Sequence, residues 1–194
     1  MDVTSANKVD IDVQIADDLH VDSLLLALFE ELTHSDNHND NHRHASTMAM
    51  MEAALAKQAN LWVVALTEHL CEAAQQEQGH RGICLRLCDA NESRQLNHRY
   101  RGKDQPTNVL SFSVEQDSLA AAALPLGDLA ICWPILCAEA AERHLPVRHH
   151  FAHLLIHGTL HLLGYDHQED VDAAVMEAHE VCVLAGLGIS DPYC

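Results

Sequence analysis

The chain is poor in aromatic residues, with two Trp, three Tyr and three Phe among 194. Its core must therefore be built mainly from Leu, Val, Ile and Ala, and a hydrophobic share of 48% is enough for one such core. Positive charge is scarce too: 11 Lys and Arg face 29 Asp and Glu, a formal net charge of −18. A uniformly acidic body argues against a broad nucleic-acid surface. No apolar run approaches the roughly 20 residues of a membrane span. The opening "MDVTSANKVDIDVQ" lacks a basic-then-apolar signal pattern. These absences predict a soluble, cytoplasmic protein with no membrane partner. No CxxC occurs, and the seven cysteines are odd in number and mostly sit in apolar runs. They read as reduced thiols acting as small core residues, with neither a disulfide nor a cysteine metal site.

The positive charge that exists is concentrated. Arg81, Arg86, Arg94, Arg99, Arg101 and Lys103 fall within 23 residues, opposed there only by Asp89 and Glu92. That segment is either a solvated helix and turn or a phosphate-facing patch on an acidic body.

Elements follow from periodicity. "VDIDVQI", 9–15, alternates strictly and predicts a half-buried strand. "VDSLLLALFEEL", 21–32, predicts a helix. "THSDNHNDNHRHAST", 33–47, has almost no apolar content and reads as a polar insertion, its histidines (His34, His38, His42, His44) part of that tract rather than a site. Helix returns over 48–58 and 61–75, with a break near Asn60. "GICLRLCD", 82–89, is a strand, and Asp89 with Glu92 fits a capping box opening a helix over about 90–98. Strands are expected at 108–114 and 128–133. Pro134 and Pro146 each open a helix, the second running to about 163. A last helix, 170–185, spaces Val171, Ala174, Val175, Ala178 and Cys182 as an apolar face. Strands and helices mix without regular βαβ alternation, so the class is α+β in a single domain over 1–194.

"HGTLHLLGYDH", 157–167, carries the chemistry. His157 and His161 lie one helical turn apart, so both imidazoles can aim at one point. A third ligand cannot come from the same straight helix with tetrahedral angles, so the chain must turn back. Gly164 supplies the left-handed residue that ends a helix sharply, and His167 arrives on the returning loop. Three neutral imidazoles leave a fourth position open, the layout of a catalytic rather than a structural zinc. Four other HxxxH pairs occur among the 16 histidines, at 34/38, 38/42, 149/153 and 153/157, so a pair alone says nothing. His153 is either a partner of the site or a partly exposed helix residue. Asp166 either orients His167 or a water, or caps the turn. Arg101 can donate paired hydrogen bonds to phosphate oxygens, and Asn97, Lys103 and Asn108 are candidate contacts to a substrate backbone.

The spacing is also that of metzincin proteases, which place Glu directly after the first His as general base. Here that position is Gly158, and the base is missing. The stretch more closely resembles the YbeY family of bacterial endoribonucleases, whose motif lacks that Glu as well. "LNHRYRGKDQPTNVLSF" at 96–112, "LGDLAIC" at 126–132 and "DPY" at 191–193 match further blocks of that family, in its order, over most of 80–194. The resemblance implies an α+β fold with a small mixed β-sheet flanked by helices and a zincin-like metal helix. It implies a zinc-dependent, single-strand-specific endoribonuclease acting in ribosomal RNA processing, at small-subunit rRNA 3' end maturation, and in ribosome quality control. Single-stranded ribosomal RNA, the ribosome small subunit and its assembly factors would be the partners. One Zn2+ per chain would sit on His157, His161 and His167, with Arg101 as the functionally important arginine. The chain departs from the family in its length, its acidic His-rich insertion within 17–60, its low charge and its Trp133-Pro134. Two alternatives remain: a zinc hydrolase of a peptide or small molecule, and a non-enzymatic metal-binding module docked on the ribosome.

Overall fold

The computed structural model describes residues 9–17, 19, 41–74, 81–114 and 125–194, without the side chains of 41–47, 71–74 and 81. The chain order is β1 (Val9–Ile15), α1 (Asn41–Ala74), β2 (Arg81–Cys88), α2 (Ala90–Arg101), β3 (Val109–Ser113), β4 (Gly127–Cys132), α3 (Trp133–Glu142), α4 (Val147–Leu162) and α5 (Asp170–Gly186). The four strands form one mixed sheet in the order β1-β2-β4-β3, with β1, β2 and β4 parallel and β3 antiparallel to β4. The fold is α+β, as the mixed element pattern predicts. Among the described residues no helix is long and apolar enough to cross a membrane.

Strand β1 owes its place to its alternation: Val9, Ile11, Val13 and Ile15 are buried and the residues between them exposed. As an edge strand it presents unpaired N–H groups, a template for unwanted pairing. Helix α1 covers them. Asn60 Oδ1 accepts from the Ile11 N–H at 3.1 Å, and Glu52 Oε1 from the Ile15 N–H at 3.4 Å. The break expected at Asn60 is therefore absent: α1 runs unbroken, and Asn60 is kept there by the strand it caps. The polar stretch 33–47 contributes its residues from 41 onward to the first turns of α1, while 33–40 and the helix expected at 21–32 lie outside the described residues.

Helix α2 starts as expected. Asp89 accepts from the Glu92 N–H at 2.7 Å. The reciprocal half of the capping box is not made, because the Glu92 carboxylate takes the Arg86 guanidinium instead, at 2.6 and 3.0 Å. The helix runs three residues past 98, to Arg101.

Helix α4 is the centre of the molecule. Ten of its 16 residues are buried, so it packs on nearly every side. It lies against β3, β4, α1, α3 and α5, and Phe151 meets Trp62 edge to face at 5.6 Å. Trp133 is a buried core residue, and Pro134 stands in the first turn of α3. Helix α5 corrects the sequence reading. Val171 and Val175 are 76% and 46% exposed, and the buried face is Met176, Glu180, Val183 and Leu184. Both stripes have helical spacing. The one that turns inward carries a carboxylate, because α4 offers that carboxylate two histidines.

Candidate metal centre

The site grows from the exposed end of α4. His157 and His161 stand one turn apart with ring centroids 4.8 Å from each other. Gly164, at φ 93°, reverses the chain just past the helix, where a side chain would be strained. Its N–H donates to the His161 carbonyl, and the Tyr165 N–H to that of Leu160. The returning loop brings the His167 ring to 5.4 Å from that of His157 and 4.9 Å from that of His161. One nitrogen from each of the three rings lies within 4.8 Å of the others.

The second nitrogens matter as much. His157 Nδ1 bonds Glu180 Oε1 at 2.8 Å, and His161 Nδ1 bonds the Tyr165 carbonyl at 3.0 Å. Both acceptors demand the proton on Nδ1, which leaves the Nε2 lone pair free for a cation. Burial, then the neighbouring His157 and His167, lowers the pKa of His161 and keeps it neutral, the form that binds metal. This donor set fits a borderline divalent ion such as zinc. Asp166 Oδ1 accepts from the His167 backbone N–H at 2.8 Å, so it caps the turn.

Glu180 is the residue that sequence reasoning missed. It is fully buried and accepts from His153 Nε2 at 2.9 Å, from His157 Nδ1 and from the Tyr193 hydroxyl. Burial opposes its ionisation. The hydrogen bonds from His153, His157 and Tyr193 outweigh that and bring its pKa down to about 2. The available signal was an acid on the stripe Met176, Glu180, Leu184, which is otherwise apolar. His153, His157 and Glu180 also bring one atom each within 4.8 Å. There the nitrogens are already spent on the carboxylate, whereas the outer trio offers lone pairs. His153 is thus a partner of Glu180, which orients His157.

Gly158 explains the missing base. A Cβ built there would lie 2.9 Å from Leu129 Cδ2 and 3.3 Å from both Ser111 Oγ and Val109 Cγ2. The Ser111 hydroxyl donates to the Gly158 carbonyl at 3.1 Å. Helix α4 touches the sheet at this point, and a glutamate has no room.

The other candidates are spread out. Arg101 and Lys103 are exposed where α2 ends, and form no ion pair among the described residues. The basic segment is narrower than its composition implies. Arg86 is paired with Glu92, and Arg94 with Asp104, just beyond the counted window. Asn97 is buried, and its amide donates to the Gln105 carbonyl at 2.7 Å. Asn108 donates to both oxygens of Glu139 at 3.2 Å and accepts from the Val109 N–H at 2.8 Å. Asn97 and Ser93 together lace the 102–108 loop to α2, and this loop carries Asn108 to the wall of a cavity that His157 also lines.

Comparison with known proteins places these residues in context. A family model described as Endoribonuclease YbeY matches residues 39–188. The chain is 55% identical over 111 residues to Endoribonuclease YbeY of Chromohalobacter salexigens, covering 57% of this chain and 71% of that one. It is 52% identical over 113 residues to the protein of that name from Halorhodospira halophila, covering 57% and 73%. With that of Methylococcus capsulatus it shares 42% identity over 151 residues, covering 78% of this chain and 92% of the relative.

Proposed function

Because the chain belongs to the YbeY endoribonuclease family, we propose that it hydrolyses phosphodiester bonds of single-stranded ribosomal RNA at one zinc ion held by His157, His161 and His167. The observation that carries the zinc site is the pairing of convergence with pinned tautomers. Three imidazoles gather at the end of α4, and the two on the helix have Nδ1 committed to Glu180 and to the Tyr165 carbonyl. Such partners raise ligand basicity and fix ring orientation. When bound, the ion supplies positive charge that polarises a phosphodiester and makes a nearby water more acidic.

The rest is the work of this chain's own side chains. Glu180 holds His157 in register through its bond to Nδ1. Gly158 admits the sheet rather than an acid, so the residue after the first histidine supplies no proton acceptor. Arg101, exposed and free of an acidic partner among the described residues, engages phosphate oxygens with its fork of donors. Lys103 adds charge along the strand's path. Asn108 acts through Glu139, to which its amide is bonded. The small ribosomal subunit and its assembly factors are the setting for this activity, in the cytoplasm.

The test pairs metal stoichiometry with cleavage. Wild type should hold one zinc per chain and cut single-stranded RNA but not casein, with both metal and cutting lost to chelator and in His161→Ala. Arg101→Ala should lose cutting while keeping its metal. A chelated protein that unfolds, together with a metal-loaded form that cuts no RNA, would overturn the enzyme reading.

A further inference from the structure

The end of α2 is a basic spot on an acidic body, and a tyrosine stands in the middle of it. Arg99, Arg101 and Lys103 alternate there with Tyr100 and Gly102. All three cations are exposed, and none forms an ion pair among the described residues. The acid that follows them, Asp104, is taken up by Arg94 at 2.7 and 2.9 Å. Asp128, opposite Phe112 on β4, lies one strand further from the edge of the sheet.

Tyr100 is 56% exposed, yet its ring is held. It stands edge to face with Phe112, the centroids 4.9 Å apart and the planes at 64°. Phe112 is fixed in turn on β3, where it packs against the buried cluster of Leu110, Ala130 and two cysteines. Arg99 Cζ lies 5.3 Å from the Tyr100 centroid. That is within cation–π range but beyond the roughly 3.5–4.0 Å of van der Waals stacking, so the guanidinium does not close the ring off.

The edge strand β3 links this ring to the metal helix. Successive side chains of a strand point to opposite faces. Ser111 faces α4 and donates to the Gly158 carbonyl, next to His157, while Phe112 on the other face carries Tyr100. The ring and the metal centre are therefore on either side of one exposed edge, the place where a bound strand can reach both. Cations alone hold phosphates and cannot tell a single strand from a duplex. An open aromatic ring can, because it stacks only on a base whose face is free, and a duplex hides its base faces. Free cations on both sides of such a ring are the combination that single-strand binders use.

We propose that Tyr100 is the stacking plate for an unpaired base of the substrate strand, flanked by phosphate contacts from Arg99, Arg101 and Lys103, and that it sets the preference for single strands. The proposal rests on the single-stranded RNA reading above. It is tested first without cleavage, in the full-length, metal-loaded protein. The two native tryptophans, Trp62 and Trp133, are buried, so Tyr100→Trp adds an exposed reporter. Stopped-flow fluorescence reads it before turnover. A single-stranded RNA decamer should quench the emission, whereas an abasic decamer of equal charge and a duplex of the same sequence should leave it unchanged. No quenching by the single strand, or equal quenching by the abasic strand, overturns the plate.

A second arm reads cleavage of single-stranded RNA. Tyr100→Leu keeps an apolar cover on Phe112 but removes the flat ring. It should raise KM about tenfold with little change in kcat and in zinc content. Tyr100→Phe should restore the wild-type KM, and binding of the duplex should be the same in all three proteins. A KM unmoved by Tyr100→Leu, or duplex binding weakened as much as that of the single strand, sinks the proposal and leaves the nuclease standing. Should Tyr100→Leu fail to fold, the fluorescence arm decides. Absence of all RNA cleavage sinks the nuclease, and the quenching still judges the plate.

Discussion

Helix α4 carries histidines in two states, and the contrast shows what makes a metal ligand. The outer pair, His157 and His161, gives Nδ1 to Glu180 and to the Tyr165 carbonyl and keeps Nε2 open. The inner pair, His150 and His153, gives Nε2 to Glu139 and Glu180, and its Nδ1 atoms are buried without partners. Residue type and helix are shared, and 153/157 repeats the spacing of 157/161. Only the acceptors differ. Spacing brings rings to one face, and the partner of the second nitrogen decides whether the first can bind an ion. Glu180 joins the two states, with one oxygen on each.

The largest effect that would break this contrast is at the ligands. His161→Ala should release the metal, measured by elemental analysis, and lower RNA cleavage by roughly a thousandfold or more. His150→Ala should keep full metal content. If it loses as much metal as His161→Ala, the division between outer and inner histidines fails. Next in size is Gly158→Glu. It should cost about 3 kcal/mol in urea unfolding and create no peptidase, because the added side chain meets Leu129, Ser111 and Val109. Smaller again, Glu180→Gln should weaken zinc about 10- to 100-fold in competition with a chelator while the metal still binds.

Acid titration sharpens the inner half of the comparison. Burial lowers the pKa of His150 below its ordinary 6.5, against the pull of Glu139. The folded state then holds that proton less readily than the unfolded chain. The stability from neutral His150 is fully present above 6.5 and is lost as pH falls from there towards the lower folded value. Urea midpoints measured stepwise from pH 7 to 5 should fall, and His150→Gln should flatten the decline. The smallest expected change is on α5. Val175→Ser, at an exposed position, should alter stability by no more than about 0.5 kcal/mol.

Much of the molecule was legible in order along the chain. The alternation of 9–15 gives β1, Pro134 and Pro146 mark two helix starts, and Gly164 with three histidines marks the turn-back. Each is a local pattern, fixed by backbone period or by the conformations one residue allows. The burial of Glu180 was not legible, because its partners lie 23 and 27 positions away on another helix. Nor was the choice between the two stripes of α5, since both have helical spacing. The narrowing of the basic segment depended on Asp104 folding back to Arg94. The sequence by itself determined which residues share a helix face and where the chain reverses, since those follow from short-range geometry. Only the tertiary structure decided which face turned inward and which nitrogen of each histidine was left open, because both depend on acceptors brought from distant parts of the chain.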